Sequence, residues 1–104
     1  MYNIFMLNDD DHFNTLRKIE KNPQSTQRAL ANELGFSLGK LNYCLKALQD
    51  KGLVKINNFK KSKKKLNYIY VLTPKGLSAK TKLTLKFMER KMNEYDELKK
   101  EIEN

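Results

Sequence analysis

The residues best suited to chemistry in this sequence are lysines, and they are concentrated in one part of the chain. Residues 38–75 contain ten Lys and a single acid, Asp50, and this excess equals the net charge of +9 of all 104 residues. Such a field attracts polyanions, which predicts binding to nucleic acid or to an anionic surface. A solvated loop that keeps the protein soluble is the alternative interpretation. Five lysines fall in one short run: Lys60, Lys61, Lys63, Lys64 and Lys65.

Residues for other kinds of chemistry are few. One Cys, one His and scattered carboxylates provide no nucleophile, acid–base pair or metal site, so we expect neither an enzyme nor a cofactor. The lone Cys44 cannot form an internal disulfide, and its helical position predicts burial, although a role as an oxidant sensor stays open. His12 is expected to face solvent. Without an apolar run of about 20 residues or a signal-peptide core, we expect a cytoplasmic protein that does not bind membranes.

The first part of the chain predicts a helix-turn-helix. A first helix begins at Asp9–Asp11, whose charges suit its positive end, and stops before Asn22-Pro23. A second, short helix follows Ser25 and Thr26, either of which can cap it, and ends at Gly35. A third runs from Leu38 to about Lys51 after a turn that contains Gly, which is the helix-turn-helix pattern. The inward-facing residues are predicted to be Phe13, Leu16, Ile19, Leu41, Cys44, Leu45 and Leu48.

The residues after the third helix predict a β-hairpin with a cationic tip. Leu53–Ile56 and Leu66–Leu72 have the composition of strands, and Asn57–Lys65 between them carries the five clustered lysines. A cationic hairpin directly after a helix-turn-helix is the wing of a winged helix, positioned to reach the DNA backbone. The predicted fold is therefore mainly α with a small β-hairpin (α+β), a winged helix-turn-helix.

The last helix is predicted to be long and to need a partner. Thr73 caps it, Pro74 occupies its first position, and no helix breaker follows Gly76 before Ile102. Its apolar residues recur at three, four and seven positions, namely Leu85, Met88, Met92, Tyr95 and Ile102. This stripe predicts a homodimer. The alternative is that the stripe packs on the first helix and that the helix frays near Tyr95.

The segment LGFSLGKLNYCLKALQDKGLVKINNFKKSKKKLNYIYVLTPKG resembles MarR-type winged-helix regulators, and in particular a short subgroup associated with exopolysaccharide gene clusters. SLGKLNYCLKAL, KGLVK and YVLTPKG are its most specific pieces, and the resemblance extends from about Asp9 to the C-terminus. It implies a homodimer whose third helix enters the major groove, and a role in controlling surface-polysaccharide genes. Longer MarR proteins add N-terminal helices and often bind small effectors, whereas only residues 1–8 precede the first helix here. Whether an effector binds is therefore left open.

These inferences divide the chain into an N-terminal extension (residues 1–8), a DNA-binding domain (9–74) and a dimerisation helix (75–104). Outward positions of the third helix give the candidate base readers Gly39, Lys40, Asn42, Tyr43 and Lys46. Candidate phosphate contacts near helix N-termini are Ser25, Thr26, Gln27, Arg28 and Ser37, although capping is the favoured role of the first two. The five clustered lysines complete the set.

Several roles remain open among these candidates. Lys40 suits guanine or a phosphate, Asn42 suits adenine, and Tyr43 suits a thymine methyl or a phosphate. The function that the sequence favours is sequence-specific binding of double-stranded DNA by a transcriptional regulator. The alternatives are a protein-interaction adaptor that uses the winged helix and last helix, and an RNA-binding protein in which Tyr68 and Tyr70 stack on bases. Their alternation with Leu66 and Leu72 favours instead a place on the sheet face.

Overall fold

The computed structural model of the chain describes residues 9–23, 25–62 and 65–103, and the side chains of all of these except 58–62 and 65–68. These residues form four helices and one antiparallel pair of strands. In chain order the elements are α1 (Asp9–Lys21), α2 (Gln27–Leu34), α3 (Leu38–Asp50), β1 (Val54–Ser62), β2 (Lys65–Leu72) and α4 (Pro74–Glu103). The predicted α+β class is confirmed.

Each helix after α1 begins at a hydroxyl cap. Thr26 Oγ1 accepts a hydrogen bond from the amide of Ala29 at 3.1 Å, so Thr26 rather than Ser25 is the cap of α2. Ser37 Oγ accepts from the amide of Lys40 at 3.0 Å at the start of α3. These bonds satisfy backbone donors that the first turn of a helix leaves unpaired. Gly35 ends α2 with φ of 70°, a left-handed conformation that glycine adopts without steric cost.

The core lies between α1, α2, α3 and the base of the hairpin. As predicted, the apolar faces of α1 and α3 point inward, with Leu16, Leu41, Cys44 and Leu48 fully inaccessible to solvent. Tyr70 of β2 is 4% exposed and joins the same cluster, which confirms its place on the buried sheet face. Tyr68 lies among the residues whose side chains are outside the described part. The buried cluster fixes how α3 is presented at the surface.

The junction between the hairpin and α4 is tight. Thr73 Oγ1 accepts from the amide of Gly76 at 3.0 Å and donates to the carbonyl oxygen of Gly52 at 2.5 Å. A Cβ atom at position 76 would lie 1.9 Å from the carbonyl oxygen of Leu53. Gly76 therefore permits an approach of α4 to the start of β1 that no other residue type would allow.

The hairpin is longer than the sequence predicts. β1 and β2 pair from Val54↔Leu72 to Ser62↔Lys65, with an irregularity between Lys60 and Ser62. The expectation that residues 57–65 lie between the strands was wrong for 57–62 and for Lys65, because ladder hydrogen bonds join backbone groups and do not require apolar side chains. Lys60, Lys61 and Lys65 thus belong to the strands, while Lys63 and Lys64 lie outside the described residues.

The last helix extends well beyond the rest of the domain. α4 contains 30 residues, about 45 Å of helix, in a chain whose longest dimension is 67 Å. Its first half packs on α1, where the rings of Phe13 and Phe87 have centroids 5.4 Å apart. Helical structure continues past Tyr95 to Glu103, as predicted. Within the described part of the chain, no helix combines the length and apolar character needed to cross a membrane.

The apolar stripe predicted on α4 is exposed in the single chain. Leu85, Met88, Met92, Tyr95 and Ile102 retain between 56% and 86% of their accessible surface, and Leu98, which the sequence analysis did not include, retains 61%. We call these six residues the α4 stripe. The alternative in which α1 covers the stripe does not describe this chain, since α1 contacts the helix through Phe87 and charged residues instead.

Candidate nucleic-acid interface

Helices α2 and α3 and the turn between them present one face of α3 to solvent. The amide of Phe36 donates to the carbonyl of Ala31 at 2.9 Å and the amide of Gly35 to that of Asn32 at 3.2 Å, which fixes the turn. Because Leu41, Leu45 and Leu48 anchor the opposite side, the outward face is set by helical geometry. Its exposed residues are Leu38, Gly39, Asn42, Tyr43, Lys46 and Asp50.

Four of the five predicted base readers are on this face. Gly39, Asn42, Tyr43 and Lys46 are all exposed, so their positions suit contact with a partner surface. Their roles on DNA stay predictions. Leu38 is 43% exposed at the first position of α3 and was not among the predicted site residues. Its spacing from the buried Leu41, Leu45 and Leu48 was the available signal, since position 38 falls near the edge of the inward face.

The fifth predicted reader, Lys40, is held against the domain. Its Nζ lies 3.5 Å from Oδ2 of Asp11 on α1 and 4.3 Å from the centre of the Phe36 ring. The side chains of Lys40 and Asp11 are 29% and 16% exposed, so the pair is partly shielded from water. To contact DNA, Lys40 would have to leave both partners. The role of Lys40 in DNA binding remains a prediction, and binding through it would cost the contacts with Asp11 and the Phe36 ring.

The predicted phosphate contacts at the start of α2 differ in their exposure and in their hydrogen-bond partners. Gln27 Nε2 donates to Oη of Tyr70 at 2.6 Å, a bond that ties the start of α2 to β2. Arg28 is exposed, Ser25 is half-buried, and the hydroxyl of Thr26 is used in capping. Arg28 is therefore the member of this group with an exposed, charged side chain. Contacts of all of them with phosphate stay predictions.

The charge around α3 and the hairpin is positive. The one acid of residues 38–75, Asp50, lies 3.9 Å from Lys46 Nζ in an exposed pair on α3. Lys51, Lys55 and Lys75 are exposed beside the hairpin. Lys60, Lys61 and Lys65 are placed by their backbones on the two paired strands, which puts them at the far end of the same hairpin. The strands therefore carry positive charge away from the core, next to α3.

Two titratable groups lie behind α3. Cys44 is fully buried with its Sγ 3.4 Å from Thr15 Oγ1, and burial raises the pKa of its thiol. His12 is half-buried rather than solvent-facing, so the prediction for it was wrong: α1 turns it toward the core side, where burial first and Lys51 second lower the pKa of its imidazole. Its Nε2 is inaccessible and has no hydrogen-bond partner among the described residues.

A cleft of about 350 Å³ separates α1 from α4. Phe13, Leu83 and Phe87 form its apolar wall. At its rim Lys86 Nζ lies 2.7 Å from Asp9 Oδ2 and Arg90 Nη2 lies 2.9 Å from Asp10 Oδ1. The hydrogen bond from Lys86 lowers the pKa of the Asp9 carboxyl. Asp9, Asp10, Lys86 and Arg90 are thus paired with one another across the rim of the cleft.

No group of three or more metal-binding side chains occurs among the residues that the structure describes.

Residues 12–55 match the protein family described as winged helix-turn-helix DNA-binding. The match covers α1 to the start of β1, somewhat less than half of the chain. The fold is a winged helix-turn-helix. The paired strands after α3 are its wing, and α3 occupies the place of the recognition helix. No curated protein matches the sequence.

Solved structures of MarR proteins have the same fold. Staphylococcus aureus MarR in complex with salicylate and kanamycin is 21% identical with a TM-score of 0.63, covering 83% of this chain and 56% of that one. A MarR family transcription regulator is 21% identical with a TM-score of 0.68, covering 84% and 56%. S. aureus MepR, as a variant bound to an oligodeoxyribonucleotide, is 18% identical with a TM-score of 0.65, covering 84% and 63%. At this identity the likeness shows the fold, and the chain spans between 56% and 63% of these three proteins.

Proposed function

We propose that the protein is a transcriptional regulator that binds double-stranded DNA at specific sequences through α3. The observation that carries the proposal is an exposed face on α3 with Asn42, Tyr43 and Lys46, inside a winged helix whose residues 38–75 hold the whole net charge. An α-helix fits the major groove, where each base pair presents a distinct pattern of donors and acceptors. The MepR neighbour bound to an oligodeoxyribonucleotide supports carrying DNA binding over to this chain.

The proposal divides the interface into reading and positioning residues. Asn42, Tyr43 and Lys46 are exposed on α3 and have side chains that pair with base edges, so we assign them to reading. Arg28 and the wing lysines are assigned to phosphates, which fix the register of a protein on DNA without specifying its sequence. This division makes different predictions for the two groups of variants.

The regulator is proposed to act as a homodimer joined by the α4 stripe. Six large apolar side chains at least 56% exposed along one helix would leave a contiguous apolar patch in water. A second copy offers the same patch with the same length, and two-fold dimers match two-fold DNA sites. Sedimentation of the intact chain at tens of micromolar tests this part: a dimer supports it, and a monomer contradicts it.

The genes controlled are proposed to be those of surface polysaccharides, an extension that depends on the sequence resemblance alone. Footprinting of the purified protein on naked DNA from the promoters of its own gene and of neighbouring genes tests this target assignment. Protection upstream of polysaccharide genes supports the extension. Protection confined to unrelated promoters removes this target assignment and leaves DNA binding intact.

The central experiment measures how strongly the protein prefers one DNA sequence over another. Fluorescence anisotropy compares affinity for a duplex selected from random sequence with affinity for scrambled duplex and for single-stranded RNA. Asn42→Ala is expected to lower the affinity for the selected duplex by about 1–3 kcal/mol while leaving scrambled duplex unchanged. Asn93→Ala, an exposed asparagine on α4, is the matched control. Equal binding of selected and scrambled duplex by the parent chain would refute the proposal, and preference for RNA would favour the RNA-binding alternative.

A second experiment measures positioning by the wing. Replacing Lys60, Lys61, Lys63, Lys64 and Lys65 by Ala is expected to flatten the slope of log K against log salt by about four units for a dimer making about five wing contacts. Selected and scrambled duplexes should weaken by similar factors. The control removes the same charge from five exposed lysines elsewhere: Lys21, Lys82, Lys91, Lys99 and Lys100. If both variants change the slope equally, the wing only adds net charge.

A further inference from the structure

The exposed apolar side chains of the described residues fall into distinct groups. Ten large hydrophobic residues are exposed, of which seven lie on α4 and one, Ile56, lies on β1. The other two lie on α3, Leu38 at the edge of its inward face and Tyr43 on its outward face. Leu38 is 43% exposed, whereas Leu41, Leu45 and Leu48 of the same helix are at most 2% exposed. Leu38 is thus a partly exposed apolar side chain at the first position of the helix proposed to read DNA.

Its surroundings leave Leu38 prominent in the first turn of α3. Gly39 has no side chain, and Lys40 is drawn back to Asp11 and Phe36. The Ser37 cap holds the first turn in place by its bond to the amide of Lys40. The part of α3 that enters a groove first would therefore present Leu38 before any charged side chain.

Leu38 also lies one helical turn before Asn42. Residues four apart share a face of a helix, with Cβ atoms about 5–6 Å apart. Base pairs in DNA are stacked about 3.4 Å apart along each strand, so the two side chains can reach one base pair or two adjacent ones. Asn pairs with the N6 and N7 atoms of adenine, and the apolar group in the major groove is the C5 methyl of thymine. Leucine has no hydrogen-bonding group, so among base edges this methyl is its matching contact.

We infer that Leu38 is a specificity-determining residue that contacts a thymine methyl group next to an adenine bound by Asn42. The inference rests on the proposed function, because it requires α3 in the major groove. It predicts more than the proposed function does. Each half-site of the preferred duplex should include a thymine whose methyl group contributes to affinity, in addition to its hydrogen-bonding groups.

Substitution of uracil for thymine isolates the methyl group. Deoxyuridine keeps the base pairing and the O4 acceptor of thymine and removes only the C5 methyl. In a duplex chosen by selection, each thymine is replaced in turn and affinity is measured for the parent chain and for Leu38→Ala. We expect one thymine per half-site at which uracil weakens the parent about fourfold, or about 16-fold when both half-sites are changed. Leu38→Ala should bind the thymine and uracil duplexes equally.

Two further variants separate contact from folding. Leu38→Met keeps an apolar side chain and should retain the sensitivity to the methyl group, while Leu38→Ser should lose it. Leu77→Ala, at a comparably exposed leucine on α4, should behave like the parent at every position. Circular dichroism during thermal unfolding shows whether each variant folds.

The outcomes are distinguishable. If no uracil substitution weakens the parent, or if Leu38→Ala retains the same thymine preference, the inference is wrong while the preference for selected duplex still supports the proposed function. If Leu38→Ala weakens both duplexes by one factor at all positions, the residue has a general role and the inference is overturned. If the parent prefers no duplex, the proposed function fails and the inference fails with it.

Discussion

Met92 lies near the middle of the α4 stripe, so in a homodimer joined by the stripe its side chain would be buried near the centre of the interface. Its side chain is 60% exposed in the single chain. We expect Met92→Ala to weaken the dimer strongly, because the thioether side chain loses apolar surface that association would otherwise remove from water. Lys91→Ala is the neighbouring control: its Nζ lies 3.3 Å from Glu94 Oε2 in an exposed pair within the helix, outside the stripe.

The size of the effect follows from the exposure. Burying a whole Met side chain contributes about 1.5–3 kcal/mol. With 60% still exposed in the monomer, association would account for about 1–2 kcal/mol for each chain, or about 2–4 kcal/mol for the symmetric pair. Since about 1.4 kcal/mol corresponds to a tenfold change, the Kd of the dimer should rise roughly 30- to 700-fold. Lys91→Ala should leave it nearly unchanged, because the exposed Lys91–Glu94 pair lies within one helix and is present in the monomer and the dimer alike.

Sedimentation velocity over a concentration series gives the Kd for the parent chain and both variants. Both variants introduce alanine, so any effect of helix propensity is shared by them. Circular dichroism checks that the helix content of each variant equals that of the parent chain. A similar shift for Met92→Ala and Lys91→Ala would refute the reasoning, since it would mean that the stripe is not the surface that associates. A parent chain that stays monomeric would remove the homodimer itself from the proposal.

Three other predictions concern the domain's interior and junction. Gly76→Ala should destabilise the fold by about 3 kcal/mol or more in denaturant unfolding, because its Cβ would lie 1.9 Å from the Leu53 carbonyl oxygen. Cys44 is fully buried with a raised pKa, so thiol labelling of the folded protein should be at least about tenfold slower than in denaturant. Burial lowers the pKa of His12, so the unfolded chain binds more protons and stability should fall as pH drops below about 6.5. His12→Gln should remove that slope, and an unchanged slope would contradict the assignment.

Local chemistry explains why much of the fold could be predicted from the sequence. The caps Thr26, Ser37 and Thr73 act within three residues of themselves, and the stop at Gly35 depends on its own backbone conformation. The inward faces of α1 and α3 follow from helical spacing alone. Between the two available hydroxyls before α2, the sequence could not choose, because Ser25 and Thr26 have the same capping chemistry.

Features that depend on a second element could not be predicted. The position of Lys40 is decided by Asp11 and Phe36, which are 29 and 4 residues away, so helical geometry alone could not distinguish it from its neighbours. His12 was assigned to solvent because its own helix has acids around it, whereas burial against the core side depends on packing. The length of the hairpin was underestimated because strands were predicted from apolar and β-branched residues, whereas the added pairs involve polar residues joined through backbone groups.

The Lys40–Asp11 pair provides the last prediction, since it competes with any anion that Lys40 would bind on DNA. Asp11→Asn keeps the shape of the side chain and removes its charge, so Lys40 becomes available. If Lys40 contacts phosphate in the complex, affinity should rise about two- to fivefold for each chain, the range expected for a partly exposed pair. The salt slope should steepen by about 0.9 for each subunit.

The control for the added positive charge is Asp10→Asn, whose carboxylate pairs instead with Arg90. It changes the net charge equally but should not steepen the slope. In a Lys40→Ala background Asp11→Asn should have no effect on DNA binding, because the cation for which Asp11 and a phosphate compete is gone. Should Asp11→Asn lower thermal stability and leave both affinity and slope unchanged, Lys40 would be a clamp between α1 and α3, and reading would belong to the residues that α3 exposes.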